Sequence, residues 1–222
     1  MRLHAQYDRS LIRAGASSTR YVRISFTAPE SRSSGARLPV NVALVLDRSG
    51  SMGGQKIALA RSAAQQALAL LGSDDRFSVV VYDNVVDLIV ESTSAAAAAR
   101  RRATDALASI EARGSTDLCG GWLRGCEQVG LALNDGTVGR CLLLTDGLAN
   151  HGITDHGELL RHAAELRARG VATSTFGVGA DFDERLLRDI ARRSGGHFYF
   201  LEHPQQIPDY LASEMGETLE IV

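Results

Sequence analysis

Three stretches of the chain carry oxygen donors of the same chemical kind. Val45-Leu46-Asp47-Arg48-Ser49-Gly50-Ser51-Met52-Gly53-Gly54 sets one carboxylate and two hydroxyls on alternate positions at the end of an apolar run. Gly114-Ser115-Thr116-Asp117 and Thr145-Asp146-Gly147 repeat the pattern of hydroxyl, acid and glycine. Together they offer carboxylates and hydroxyls, with no thiolate and little imidazole. An all-oxygen set suits a hard cation, Mg²⁺ first and then Mn²⁺ or Ca²⁺. Two carboxylates balance a divalent charge, and neutral hydroxyls add ligands without quenching it. Each stretch alone has an ordinary reading. Asp47, Ser49 or Ser51 can cap a helix, and Asp146-Gly147 is a common turn. Specificity comes from all three in one chain on suitable elements.

The surrounding elements are those that would bring these stretches together. Pro39 to Leu46 is short, apolar and β-branched, and Ile57, Ala64, Leu68 and Leu71 follow at helical spacing. Strand, polar turn, helix is where open α/β sheets place their sites. From Leu38 onward, strands and helices alternate. Arg76–Tyr82 and Val85–Val90 flank the turn Asp83-Asn84 and read as an antiparallel pair. Helices are expected over Ala95–Ala112, around Leu118 to Leu133, around Leu159 to Leu166, around Leu186 to Ile190 with a stop at Gly195-Gly196, and over 205–219. Further strands are expected at Cys141–Leu144, Val171–Val178 and His197–Leu201. This alternation predicts a doubly wound α/β fold. Its central sheet is mostly parallel with one antiparallel edge strand, and helices cover both faces. Residues 1–36 differ. Tyr21–Phe26 alternates like a half-exposed strand, and Ser31–Gly35 reads as a linker. The expected division is a β extension with linker over 1–36 and a domain over 37–222.

Bulk properties exclude several functions. The 222 residues are 45% hydrophobic, enough for one good-sized core, and the formal charge of -2 leaves no basic footprint for nucleic acid. Arg100-Arg101-Arg102 reads as the solvated face of a helix. No apolar stretch approaches the ~20 residues of a membrane span. The first residues lack the apolar centre of a signal peptide, so the cytoplasm is the expected compartment. Cys119 and Cys126 sit two helical turns apart, roughly 10 Å, too far for a disulfide. They and Cys141 are expected to be small core residues.

With these residues in view, the sequence resembles the von Willebrand factor A domain and its metal-ion-dependent adhesion site. The resemblance rests on Asp47-x-Ser49-x-Ser51, then Thr116, then Thr145-Asp146-Gly147, in that order, and covers roughly Leu38 to Gly216. It implies that Ser49 and Ser51 ligate the ion directly. Thr116 would ligate it in the ligand-competent state, and Asp47 and Asp146 would bind largely through water. It also implies a protein partner whose Asp or Glu carboxylate supplies the last ligand. Gly50 and Gly53 would let the loop turn around the ion. Ser115 stands where the family often has glycine. Asp117 either caps its helix or adds charge beside the ion, and the cap is favoured. Asn150 is expected to brace the loop, while His151 and His156 are solvated or touch a partner.

A non-catalytic protein-binding module is therefore the leading expectation. The enzymatic alternative is a metal-dependent phosphohydrolase with Asp47 as nucleophile. That chemistry wants a second acid two residues on, where this chain has Ser49. A third reading makes the chain a scaffold part of a longer multidomain protein, because the Tyr21–Phe26 strand has no evident partner in the domain.

Overall fold

The computed structural model describes residues 2–8, 11, 14, 15, 17, 19–27 and 37–220. The chain divides into two compact units, Met1–Ala36 and Arg37–Val222. The linker expected at Ser31–Gly35 lies outside the described residues.

In the first unit, β1 (Arg2–Tyr7) pairs antiparallel with β2 (Val22–Thr27). β2 thus has the partner that the sequence did not reveal. The register sets Leu3 opposite Phe26, Ala5 opposite Ile24 and Tyr7 opposite Val22, with His4–Ser25 and Gln6–Arg23 between them. Side chains alternate across a strand, so the ribbon has one apolar and one polar face.

The second unit is built on a six-stranded sheet of order β5-β4-β3-β6-β7-β8. Its strands are β3 (Val40–Asp47), β4 (Arg76–Tyr82), β5 (Val86–Ser94), β6 (Val138–Thr145), β7 (Val171–Val178) and β8 (Phe198–Leu201). All neighbours are parallel except β4 and β5. The expected mixed sheet with one antiparallel edge is the observed one. β5 runs past Val90 to Ser94 because its polar end still pairs, Phe77 with Thr93 and Arg76 with Ser94. Among the described residues, no helix is long and apolar enough to cross a membrane.

The helices are α1 (Gln55–Leu70), α2 (Ala97–Ala108), α3 (Leu118–Gly130), α4 (His156–Ala168), α5 (Glu184–Ser194) and α6 (Ile207–Leu219). α2 is shorter than the alanine run suggested. Ala95 is fixed by the bond its N–H donates to Asp75 O, and Ile110 turns back under the helix by donating to Leu107 O. One face of the sheet packs against α1, α2 and α6 through Val42, Leu44 and Leu46 of β3. The other packs against α3, α4 and α5 through Ala43 and Val45. A strand buried on both faces is apolar wherever it packs, which is why β3 runs apolar from Val42 to Leu46, while the buried Asn41 is accommodated by donating to Val129 O.

β3 lies at the centre. From it the chain winds outward to β4 and β5, then returns to the other side of β3 as β6 and winds on to β7 and β8. The winding direction reverses between β3 and β6. That switch point leaves a crevice at the carboxyl ends of these two strands, the place where doubly wound sheets bind ligands.

Candidate metal centre

Strand pairing brings the acids together. Leu46 is level with Leu144, so Asp47 and Thr145 follow side by side at the strand ends, with Asp146 one residue on. Asp47, Ser49, Thr116 and Asp146 are all buried. Asp47 Oδ1 accepts the Ser49 N–H at 2.7 Å, and its Oδ2 accepts the Thr145 hydroxyl at 2.5 Å. Ser49 Oγ lies 3.1 Å from Ser51 Oγ, and the Ser51 hydroxyl donates to Asp146 Oδ1 at 2.6 Å. Asp47, Ser49, Ser51 and Asp146 are therefore linked into one hydrogen-bonded chain, from Asp47 to Ser49 through the Ser49 N–H and from there to Asp146 through the two hydroxyls. Thr116 faces the same spot. A Cβ added at Gly147 would lie 3.4 Å from Thr116 Oγ1 and 3.6 Å from Ser51 Oγ. The five sequence-expected residues thus converge on one crevice.

The loops are held by their own bonds. The Gly50 N–H donates to Gly114 O at 3.1 Å and the Arg113 N–H to Arg48 O at 2.7 Å, joining the loop after β3 to the loop before α3. Asn150 Oδ1 accepts the Thr116 N–H at 2.9 Å, and the Asn150 and His151 N–H groups donate back to Thr116 O. This is the brace expected of Asn150. Asp117 accepts the Gly120 N–H at 2.9 Å and so caps α3. Met52 is fully buried under the turn. The left-handed glycine of that turn is Gly54, at φ 72°, whereas Gly53 sits at φ -54°. The conformational freedom expected at Gly50 and Gly53 is used one residue later, where the chain enters α1. His156 approaches Asp189 at 3.1 Å and joins α4 to α5, so it serves structure.

Two features were not read from the sequence. Lys56, on the first turn of α1, reaches back and its Nζ pairs with Asp146 Oδ2. The signal was present, a cation two residues beyond the glycines that close the acidic loop. Behind the site, Arg48 and Arg113 both donate to Asp83 Oδ2, at 2.9 and 2.8 Å, and both approach Asp87. Burial works against an ionised Asp83, but the Arg113 and Arg48 guanidinium groups hold its carboxyl below the usual range. This cluster clamps the β3 loop against the start of β5.

Electrostatics single out Asp47. Burial pushes its carboxyl up to about 6, and the hydroxyl and N–H bonds from Thr145 and Ser49 offset only part of that. The neighbouring Asp146 adds to the rise. A buried carboxylate in this state gains from any cation placed beside it. The donor set is all oxygen, its hydroxyls converge, and its charge is incompletely balanced, so the residues present fit a hard divalent ion.

The sequence model of the von Willebrand factor type A domain matches residues 41–213. Among curated proteins, the uncharacterized protein sll0103 of Synechocystis sp. is 30% identical over 202 residues, which is 90% of this chain and 46% of that protein. The chain spans less than half the length of that relative. Among solved structures, a von Willebrand factor type A protein from Catenulispora acidiphila has a TM-score of 0.73 at 20% identity, covering 98% of this chain and 50% of that one. Proximal thread matrix protein 1 from the mussel byssus, with its MIDAS motif occupied by zinc, has a TM-score of 0.60 at 19% identity, covering 83% of this chain and 46% of that one. At these identities the two structures establish a shared fold.

Proposed function

The chain belongs to the von Willebrand factor type A domain family, and from that premise we propose that its strand-end crevice holds a divalent cation through which the domain binds a protein partner. Ser49, Ser51 and Thr116 would hold the ion by their hydroxyls, with Asp47 and Asp146 behind them, acting largely through water. A partner's Asp or Glu carboxylate would complete the coordination. The bound ion supplies one thing, an electrophilic centre for that anionic oxygen.

The observation that carries this reading is the continuous hydrogen-bonded chain from Asp47 through Ser49 and Ser51 to Asp146, flanked by the Thr116 hydroxyl. Its charge balance supports a carboxylate ligand. The two acids contribute two negative charges and Lys56 one positive charge. A divalent ion would leave a net positive centre, which favours an anionic partner. Mg²⁺ is the proposed ion because every donor is a hard oxygen, with Mn²⁺ or Ca²⁺ as substitutes. The zinc in the mussel protein supports some tolerance of the ion at this motif.

Binding without catalysis is the accompanying reading. Ser49 and Ser51 have each other and Asp146 as partners, and the neighbouring Lys56 is paired with that same acid. This mutual engagement of the hydroxyls supports a binding reading. We assign residues 37–222 to the binding domain and residues 1–36 to a β extension. The three buried free cysteines suit a reducing compartment, the cytoplasm.

Thermal unfolding in EDTA and then in Mg²⁺ or Mn²⁺ tests the cation. A ligand that binds only the folded state stabilises it by about 2.7 kcal/mol at a hundredfold excess over Kd. The parent should show the rise, and Ser49→Ala combined with Ser51→Ala should not. Adding millimolar acetate should raise the midpoint further only with the cation present. A parent indifferent to both cations would remove the coordination mechanism.

A further inference from the structure

The structure points to a second metal site, one that shares no residue with the first and takes a different class of ion. We propose that His197, Glu214 and Glu217 bind a borderline divalent cation, Zn²⁺ foremost, on the α6 flank of β8.

His197 leads into β8, and Glu214 and Glu217 lie on the last two turns of α6. Residues three apart on a helix share a face, so both carboxylates are presented to the same side. His197 Nδ1 lies 2.9 Å from Glu214 Oε2 and 3.7 Å from Glu217 Oε2. One ligand atom from each residue falls within 4.8 Å of the other two. Donors held about 2.1 Å from a tetrahedral ion are roughly 3.4 Å apart, so these separations need only slight adjustment.

A supporting shell is built around the buried member. The Glu214 side chain is 2% exposed, whereas those of His197 and Glu217 are more than half exposed, which leaves the ion a route from solvent. The Ser174 hydroxyl donates to Glu214 Oε1 and the Tyr199 hydroxyl to Oε2, each at 2.6 Å. Ser174 Oγ also accepts the His197 N–H at 3.0 Å. One hydroxyl on β7 thereby fixes both ligand-bearing segments. The Tyr199 ring is stacked on Phe176, with centroids 4.9 Å apart. Ligating carboxylates are commonly oriented by outer hydrogen bonds of this kind.

Charge gives an independent reason. Among the described residues, no Lys or Arg pairs with Glu214 or Glu217. The buried carboxylate has two neutral hydroxyls and one imidazole as its polar company. Elsewhere in this domain, the buried acids Asp75, Asp83 and Asp146 each carry an Arg or Lys, and Asp47, for which no such pair is seen, lines the first candidate site. A buried negative charge without a permanent cation is costly, and a bound ion would remove that cost.

The ligand chemistry separates this site from the strand-end crevice. One imidazole nitrogen with two carboxylates suits Zn²⁺, with Co²⁺ as a spectroscopic substitute, better than Mg²⁺. Three protein ligands leave a fourth position for water. An ion here would tie the end of α6 to the start of β8.

The experiment uses the Ser49→Ala, Ser51→Ala chain, so that the first site does not contribute. Zn²⁺ is titrated in competition with a chromogenic chelator, and Co²⁺ is followed by its visible absorption. One ion per chain is expected, with the absorption of a tetrahedral nitrogen-and-oxygen site. Glu217→Gln and His197→Gln should each weaken binding at least about tenfold. Glu217→Gln alters an exposed side chain, so it should keep the unfolding midpoint in EDTA. His151→Gln should leave binding unchanged. Absence of Zn²⁺ binding, or binding undiminished in Glu217→Gln, would overturn the proposal.

Discussion

The Thr145 hydroxyl donates to Asp47 Oδ2 at 2.5 Å, across the junction where the sheet reverses its winding. With the Ser49 N–H on Oδ1, both oxygens of Asp47 already hold donors. In the proposed site, Asp47 would therefore act through the groups it already holds and through its charge rather than by direct ligation.

That arrangement makes Asp47→Asn informative. Asp47 is buried and its carboxyl is pushed up to about 6, against an ordinary value of 3.8. An acid whose folded value is raised favours folding when protonated, so its ionisation costs stability as pH rises from about 4 to about 6. The rise of roughly two units corresponds to about 3 kcal/mol at neutral pH. In EDTA at neutral pH, Asp47→Asn should be more stable than the parent, by up to that amount. The same variant should lose the Mg²⁺-dependent rise in midpoint. Equal or lower stability of the variant in EDTA would mean that the electrostatic strain does not exceed the hydrogen bond lost where the amide NH2 faces one of the two donors that Asp47 now accepts.

Lys56 yields a prediction of mixed sign. Its Nζ pairs with Asp146, whose side chain is fully buried. Lys56→Met would leave that carboxylate without its cation, and stability in EDTA should fall by about 1–3 kcal/mol. The same change removes a positive charge from beside the ion, so Mg²⁺ should bind more tightly and the cation-induced rise should grow. Titration calorimetry beside thermal unfolding separates the two effects. A lower affinity for Mg²⁺ would show that Lys56 positions Asp146 more than it competes for it.

Much of this was legible in the sequence because the fold is written in periodicity. The apolar run ending at Asp47 and the helical spacing from Ile57 announce one strand-turn-helix unit, and the alternation that follows implies the sheet. Asp47, Ser49, Ser51 and Asp146 stood out because polarity jumps at strand ends, and Thr116 because Gly114-Ser115-Thr116-Asp117 stands just before a helical pattern. What stayed hidden depends on distance along the chain. Lys56 meets Asp146 only when α1 lies over the end of β6, and Arg48 and Arg113 meet at Asp83 only in the folded chain. β1 was missed although Arg2–Tyr7 alternates polar and apolar residues, because the run is short and its partner β2 begins only at Val22.

Asp75 is, with Asp83, a buried acid whose lowered carboxyl ties stability to acid pH. It accepts Arg37 on both oxygens, at 2.7 and 2.6 Å, and the N–H groups of Val40 and Gly72. Burial opposes its ionisation, yet the Arg37 fork and these N–H bonds bring the carboxyl below its ordinary range. A depressed acid stabilises the fold above its unfolded value and loses that contribution as pH falls through the folded one. The parent should therefore lose stability below about pH 4, and Asp75→Asn should lose less over the same range while starting lower at neutral pH. Urea midpoints measured from neutral to acid pH test both statements. Parallel profiles for the two proteins would assign acid sensitivity to other groups.

Gly125 tests whether the packing of α3 controls the site. A Cβ at this position would lie 2.2 Å from Val45 Cγ2 and 3.4 Å from the Ala43 side chain, so α3 approaches β3 more closely than any side chain permits. Gly121, one turn earlier, meets the Tyr82 ring in the same way. Alanine inside a helix normally returns about 1 kcal/mol relative to glycine. Here overpacking should cost more, typically 1–3 kcal/mol, because Val45 lies in a strand buried on both faces and cannot yield. Gly125→Ala is therefore expected to lower stability despite its better propensity. It should also weaken Mg²⁺ binding, because α3 follows directly from the loop that carries Thr116. Gly130, at the far end of the same helix, has open space around it, so Gly130→Ala is the matched control and should be neutral or stabilising. If Gly125→Ala matched Gly130→Ala in both stability and Mg²⁺ affinity, the close approach of α3 to β3 would not be what holds Thr116 in place.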